Sequence, residues 1–267
     1  MGLIKKITDI VDGILLAFKF DNPIEFLINW HVLRRRDPVV LRHHGFEICI
    51  DSQGSDYYAA IEVLVNGIYD EAIDCASKNK STFNYLNLGA HIGTFDIRVA
   101  ELVPCVSNGL AVELNPITHA RLLLNLSRNR LTCVQTLNAG AWDSTENTRI
   151  QDCKRGTDEC CLGVAAGEGR MVPLLTWREI VDCFGDGKKI DLVKIDIEGS
   201  ESRFIKGFGD YAAKFVHWMV IETHSSADFI AVESFLAQAG FKEVKIKVNK
   251  NLIRLLLAVN QKLNMSF

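Results

Sequence analysis

From residue 83 onward the chain alternates short apolar runs with helix-like segments, and this alternation limits the available folds more than any other feature. The runs are FNYLNL (83–88), GLAVEL (109–114), CVQTLN (133–138), IDLVKID (190–196) and FVHWMVIE (215–222). Each has strand length, and strands separated by helices pair in parallel with helices on both faces of the sheet. Helix punctuation falls where the pattern needs it. NPITHARLLLNLSRNR begins with Asn115 as a cap and Pro116 in the first turn, and ADFIAVESFLAQAG closes on Gly240. Two last runs, FKEVKIKV and LIRLLLAV, are joined by NKN and read as a hairpin that adds one antiparallel strand.

Residues 1–80 read as an N-terminal helical and β extension, not an independent domain, because no low-complexity linker sets them apart. Ile4, Ile7, Val11, Ile14, Leu15 and Phe18 recur at helical spacing. That helix is expected to dock on its own domain or on a second subunit, giving a possible homodimer. Membrane contact through Lys5, Lys6 and Lys19 is the alternative, disfavoured by Asp9 and Asp12 on the polar face. A second helix near 23–34, the basic run RRRDP, one β segment VVLRHHGFEICI and one helical stretch DYYAAIEVLVNGIYDEAIDCA complete the extension. The main domain then spans 81–267. An insert at about 144–175 contains TRIQDC, CLGVAA and RMVPLL, which suggest extra strands or a flap.

Composition excludes several classes. A 267-residue chain with 48% hydrophobic residues can bury a full core, and a net charge of −3 provides no field for a nucleic-acid partner. The eight cysteines form no CxxC pair, so reduced thiols and a cytoplasmic location are expected. The local cluster DCKRGTDECC fits no zinc spacing. No run reaches the roughly 20 apolar residues that a membrane span needs.

In an open α/β sheet, ligands bind outside the carboxyl ends of the strands. Gly89 and Gly93 after the first run let the backbone approach a ligand and lead into a helix N-terminus. Glu113 stands 20 residues past Gly93, where an acid reaches ribose hydroxyls. The middle loop position is His91 rather than glycine, which would crowd a dinucleotide pyrophosphate. Adenosine without pyrophosphate fits better, and S-adenosylmethionine is such a ligand. A nucleotide-dependent oxidoreductase is the disfavoured enzyme alternative.

The motifs LNLGAHIGTF, VELNP, LNAGAWD and DLVKIDIEGSESRFIKG followed by VIETH resemble the FkbM-type family of S-adenosylmethionine-dependent methyltransferases from about residue 83 to the C-terminus. The resemblance implies a class I methyltransferase (Rossmann-like) fold: a seven-stranded, mostly parallel sheet with one reversed strand and helices on both faces. It also implies methyl transfer, most often to a hydroxyl of a sugar, glycan or other small metabolite. The cofactor site would comprise Asn87, Gly89, Ala90, His91 and Gly93, then Glu113 and Leu114, then Asn138, Ala139, Gly140 and Ala141, together with Asp196. The family loop usually reads Asp-x-Gly-Ala-Asn-x-Gly, and its first acid helps hold the methionine ammonium. Here Asn87 keeps an acceptor without the charge and His91 can donate to the carboxylate, so weakened cofactor binding is expected. A degenerate cofactor-binding or assembly protein is the non-enzyme alternative.

Methyl transfer needs alignment of the acceptor and a group to take its proton. The catalytic candidates are Asp196, Glu222, Glu198 and His224, all just past strand ends. Glu201 reads as a helix-start acid and Lys194 as a partner for a carboxylate across the sheet. A divalent metal on Asp196, Glu198 and Glu222 is possible but not favoured, because oxygen ligands on separate loops have no diagnostic spacing. Trp142 could frame the adenine or fill a sheet–helix interface. Arg34–Arg36 and His43–His44 could meet an acidic acceptor or form a solvated face.

Overall fold

The computed structural model describes residues 14, 17–28, 38–51, 55–150, 169–185, 187–208, 214–248 and 253–264. The five apolar runs form the parallel heart of a seven-stranded sheet: β3 (Phe83–Leu88), β4 (Val106–Glu113), β5 (Val134–Asn138), β9 (Ile190–Ile195) and β10 (Val216–Thr223). The hairpin of β11 (Phe241–Val248) and β12 (Arg254–Asn260) completes it, in the order β11-β12-β10-β9-β3-β4-β5. Strand β12 runs antiparallel to both β10 and β11, so one strand is reversed and the other six share a direction. The sheet reverses its order between β3 and β9, and the loops leaving these two strands therefore diverge around a crevice.

Side chains alternate across this sheet with period two. Phe83 and Tyr85 of β3 join Leu192 and Val220 in a cluster on one face. Leu86 and Leu88 join Val193, Ile195, Met219 and Ile221 on the other, under Trp177 and Phe204. The first cluster continues without a break into the extension through Phe20, Phe26, Leu41, Ile48, Tyr57 and Ile73. Residues 55–69 are thereby packed above the carboxyl ends of the strands.

Helix punctuation is local chemistry made visible. The Asn115 side chain accepts from the amides of Ile117 and Thr118 at the start of the helix Pro116–Arg128, a cap worth about 1 kcal/mol. Gly240, at φ 88°, ends the helix Ser226–Ala239 in the left-handed region.

Two local expectations are corrected, and a third falls partly outside the described residues. The segment 39–50 is not one β run but a hairpin, β1 (Val39–His43) with β2 (Phe46–Ile50), because His44 and Gly45 both adopt positive φ in a two-residue turn. The stretch 56–76 is not one helix. It divides into Asp56–Ala60, a π-helical turn Ile61–Val65 and the helix Asp70–Ser77, broken at Gly67 with φ 59°. The helix expected at 23–34 is described only over Pro23–Leu27. In the insert, β8 (Arg170–Leu175) pairs with both β7 (Glu146–Ile150) and the two-residue strand β6 (Gly140–Ala141) in a separate small sheet. CLGVAA, all of DCKRGTDECC, Arg34–Arg36 and NKN lie outside the described residues. Of the N-terminal apolar stripe, only Ile14 and Phe18 are described. Both are exposed, whereas Ala17 and Phe20 are buried. Among the described residues no helix is long and apolar enough to cross a membrane.

Candidate active site

The chain reverses over Gly89, whose φ of 74° suits glycine alone. A Cβ here would lie 1.6 Å from the Asp196 carbonyl oxygen, so the turn leaving β3 and the turn leaving β9 are in backbone contact. The buried Lys194 ammonium fastens them, donating to the Gly89 carbonyl at 2.6 Å and pairing with Asp196 at 3.1 Å. Gly93, at φ 87°, then opens the helix Thr94–Leu102.

Glu113 ends β4 and staples two loops. Its carboxylate accepts from the His91 amide and from the Asn115 amide, each at 2.8 Å. Burial pushes its carboxyl above the ordinary value, against the nearby His91 charge and those backbone donors. Asn138 donates to the carbonyls of Glu113 and Leu114, fixing the tips of β4 and β5 relative to each other.

These turns surround a cavity of about 450 Å³, within the range of small-ligand sites. One wall is Gly89, Ala90 and His91; the next is Glu113 and Leu114; a third is Ala139, Gly140, Ala141 and Trp142. Asp196, Glu198, Glu222 and His224 close the far end, and Ser55, Tyr58, Glu62 and Tyr69 of the extension cover it. Arg203 stacks 4.2 Å from the centre of the Trp142 ring, which holds that side chain at the cavity wall. Asn87, Gly93 and Asn138 do not line the cavity.

Asn87 is corrected most sharply. Its side chain is fully buried beneath the glycine turn and donates to Asp96 at 2.8 Å. Tyr85 donates to the other oxygen of Asp96 at 2.9 Å. Burial raises the Asp96 carboxyl to about 6 despite these two donors. The acid missing at position 87 is thus present in the same pocket, carried by the first turn of the next helix. His91 also differs from expectation. Its ring lies 3.2 Å from the fully buried Asp56, which also pairs with Arg121 at 2.8 Å. Burial disfavours the Asp56 carboxylate, but His91 and Arg121 outweigh it and hold its pKa below the usual range. This triad ties the extension to the glycine turn.

At the far end, His224 stands among acids. Its Nδ1 is 3.2 Å from Glu201, while Nε2 is 3.3 Å from Glu198, 3.8 Å from Asp196 and 4.0 Å from Glu222. Burial opposes the charged imidazole, but Glu201, Glu198 and Asp196 outweigh it and raise its pKa to about 9. The surrounding acids thus favour the charged form of the ring. Together with Lys194 it gives the gathered carboxylates their counter-charge from within the protein. Burial and the Asp196 charge raise Glu222 to about 7, against Lys194, His224 and a hydrogen bond from Tyr69. A carboxylate poised there can accept a proton near neutral pH.

Glu201 is more than a helix-start acid. It is fully buried, and one oxygen accepts from the amides of Ile197 and Gly199, shaping the loop that presents Glu198 at φ 53°. Tyr69, Asp56 and Arg121 carried no motif, since their proximity to the strand tips exists only once the extension has folded over the sheet. The Asn66-Gly67 turn signal was the sole hint that the chain changes direction before Tyr69. His44 is bound to Glu101 at 2.5 Å, and neither it nor His43 lines the cavity.

The methyltransferase FkbM domain model matches residues 87–243, more than half of the chain. The chain belongs to the FkbM methyltransferase family. A curated relative, the hexuronic acid methyltransferase AglP of Haloferax volcanii, is 27% identical over 169 residues, covering 62% of this chain and 66% of its own length. The solved FkbM methyltransferase of Methylobacillus flagellatus shares 15% identity over 75% of this chain and 53% of its own, with a TM-score of 0.52. The human methyltransferase 10 domain-containing protein shares 12% identity over 81% and 88% of the two chains, with a TM-score of 0.53. These two structures share the class I methyltransferase fold with this FkbM member.

Proposed function

We propose that this FkbM protein is an S-adenosylmethionine-dependent methyltransferase that methylates an uncharged hydroxyl of a sugar, glycan or similar small acceptor. The observation that carries the reading is the cavity that joins the glycine turn at Gly89 and the Glu113 carboxylate to Glu222, whose pKa is raised to about 7. The lining fits the cofactor: the glycine turn presents backbone at one wall, the Glu113 carboxylate stands at the next, and Asp196, Glu198 and Glu222 offer negative charge for a cationic sulfur.

Gly89, Ala90, His91, Glu113, Leu114 and the 139–141 turn would hold the cofactor, with Asp196 beside its methionine part. When bound, S-adenosylmethionine supplies an electrophilic methyl on a sulfonium. Glu222 accepts the hydroxyl proton as the oxygen attacks, and Asp196 keeps a negative charge beside the positive sulfur. His224, held by Glu201, turns Nε2 toward the acceptor end and orients Glu198 and Glu222.

The choice of a hydroxyl follows from the same groups. A carboxylate acceptor is already a nucleophile and needs no base, whereas a hydroxyl does. Asp196, Glu198 and Glu222 also make the acceptor end acidic, which opposes an anionic group beside the methyl. S-adenosylhomocysteine formation with a panel of methyl hexosides and hexuronic acids tests this. Turnover is expected on a hexoside, giving a methyl ether that survives mild alkali. Turnover on hexuronic acids alone, with an alkali-labile ester as product, contradicts the reading.

A further inference from the structure

We propose that Tyr69 is a positioning residue that holds Asp196 and Glu222 apart as a pair of carboxylates facing the sulfonium. Tyr69 lies in the extension, ahead of the span matched by the family model. Its hydroxyl lies 3.1 Å from Glu222 Oε2 and 3.3 Å from Asp196 Oδ2, so one phenol oxygen sits within reach of both acids. Asp196 follows β9 and Glu222 lies in β10; the pairing of these strands up to Ile195 and Ile221 sets their backbones side by side, and the Tyr69 hydroxyl lies within reach of both side chains.

The ring is well placed to fix the spacing between those side chains. It is 2% exposed, and it packs edge-on against Phe95 with centroids 5.3 Å apart. The Lys194 ammonium, which also pairs with Asp196, lies 5.7 Å from the ring centre. The phenol is therefore held by the apolar core on one side and by charge on the other, with only its hydroxyl reaching the acids.

The chemistry of the hydroxyl gives the arrangement its consequence. Two carboxylates brought together without a donor between them share a proton, and one negative charge is lost. A hydroxyl between them donates to one or the other and stabilises the ionised forms. The cavity end keeps more negative charge where a positively charged sulfur would be bound. The extension thus contributes to the electrostatics of the site as well as covering it.

The inference rests on the proposed cofactor geometry, and its test separates the two. Calorimetric titration of the full chain with S-adenosylmethionine, a cation at sulfur, and S-adenosylhomocysteine, neutral at sulfur, reads the charge directly. Tyr69→Phe preserves the ring and its packing and is expected to fold. It should weaken S-adenosylmethionine binding about tenfold and S-adenosylhomocysteine binding less than about twofold. In a Glu222→Gln background, where one of the two charges is gone, the same change should cost less than about threefold. Equal weakening of both ligands, no weakening of either, or full additivity with Glu222→Gln would overturn the proposal. Absence of S-adenosylmethionine binding by the unmodified chain would overturn the cofactor reading, and this inference with it, before any variant is compared.

Discussion

Asn87→Asp destabilises the protein by about 2–4 kcal/mol at neutral pH, even though it supplies the acid that the family loop usually carries there. The reason is Asp96. In the native chain one amide and one carboxylate share a buried pocket, Asn87 donating to Asp96 while Tyr85 satisfies the second oxygen. A second carboxylate at 87 must either ionise beside the first or remain protonated far above its ordinary range. Lys194 already favours the ionised Asp96 and its ammonium is engaged by the Gly89 carbonyl and Asp196, so it offsets only part of a second charge.

The sign of the pH dependence follows. A carboxyl whose pKa is raised by folding binds more protons in the native than in the unfolded state between the two pKa values. Stability therefore falls as pH rises through that window. The penalty should be small below about pH 4 and grow as pH rises toward neutral. Exchanging the pair, Asn87→Asp with Asp96→Asn, restores one amide and one acid. The new amide accepts from Tyr85 and donates to the new acid, and stability should return to within about 1 kcal/mol of the original. Denaturant unfolding at acid and neutral pH reads both effects. An unchanged or raised stability for Asn87→Asp alone would contradict this account of the pocket.

Glu222→Gln lowers turnover by about 10²–10⁴-fold, the usual contribution of a positioned general base, while S-adenosylmethionine affinity falls by about tenfold or less. The pH profile identifies the group. The base must be unprotonated, so kcat/KM of the native enzyme should rise through about 7, the value to which burial and Asp196 raise Glu222. It should fall again above about 9, where His224 loses the charge that Glu201 and its neighbours hold on it. Because these acids and the imidazole interact, the two limbs belong to the cluster as a whole. Glu222→Gln should remove the rising limb and leave the falling one. A profile that keeps its rising limb in this variant would exclude Glu222 as the base.

The sheet was legible because its information is local. Each strand announces itself as a short apolar run, and the turns that matter carry residues such as Gly89 whose backbone few others can adopt. The place of Glu113 at the end of β4, beside the cavity, was readable for the same reason, by its distance from a glycine turn. The direction in which Asn87 points was not, since a strand residue next to a turn can face the ligand or the core. Only Asp96, nine residues later, decides that it faces the core. Tyr69 was further from view. It reaches Asp196 and Glu222 across 127 and 153 residues of sequence, through a packing of extension on sheet that no periodicity encodes. The hairpin at 39–50 and the break at Gly67 were missed for a smaller reason: a two-residue turn inside an apolar run perturbs its pattern too little to be noticed.

The central claim is that adenosine lies across the tips of β3, β4 and β5 with its sulfur directed at the acids beyond β9 and β10. A crystal structure with S-adenosylhomocysteine tests it most directly. The account predicts both ribose hydroxyls on the Glu113 carboxylate, the thioether over the Gly89 turn and the sulfur turned toward Asp196, Glu222 and the Tyr69 hydroxyl. A ligand bound elsewhere, or one lying in this cavity with its ribose away from Glu113 and its sulfur away from those acids, would contradict it.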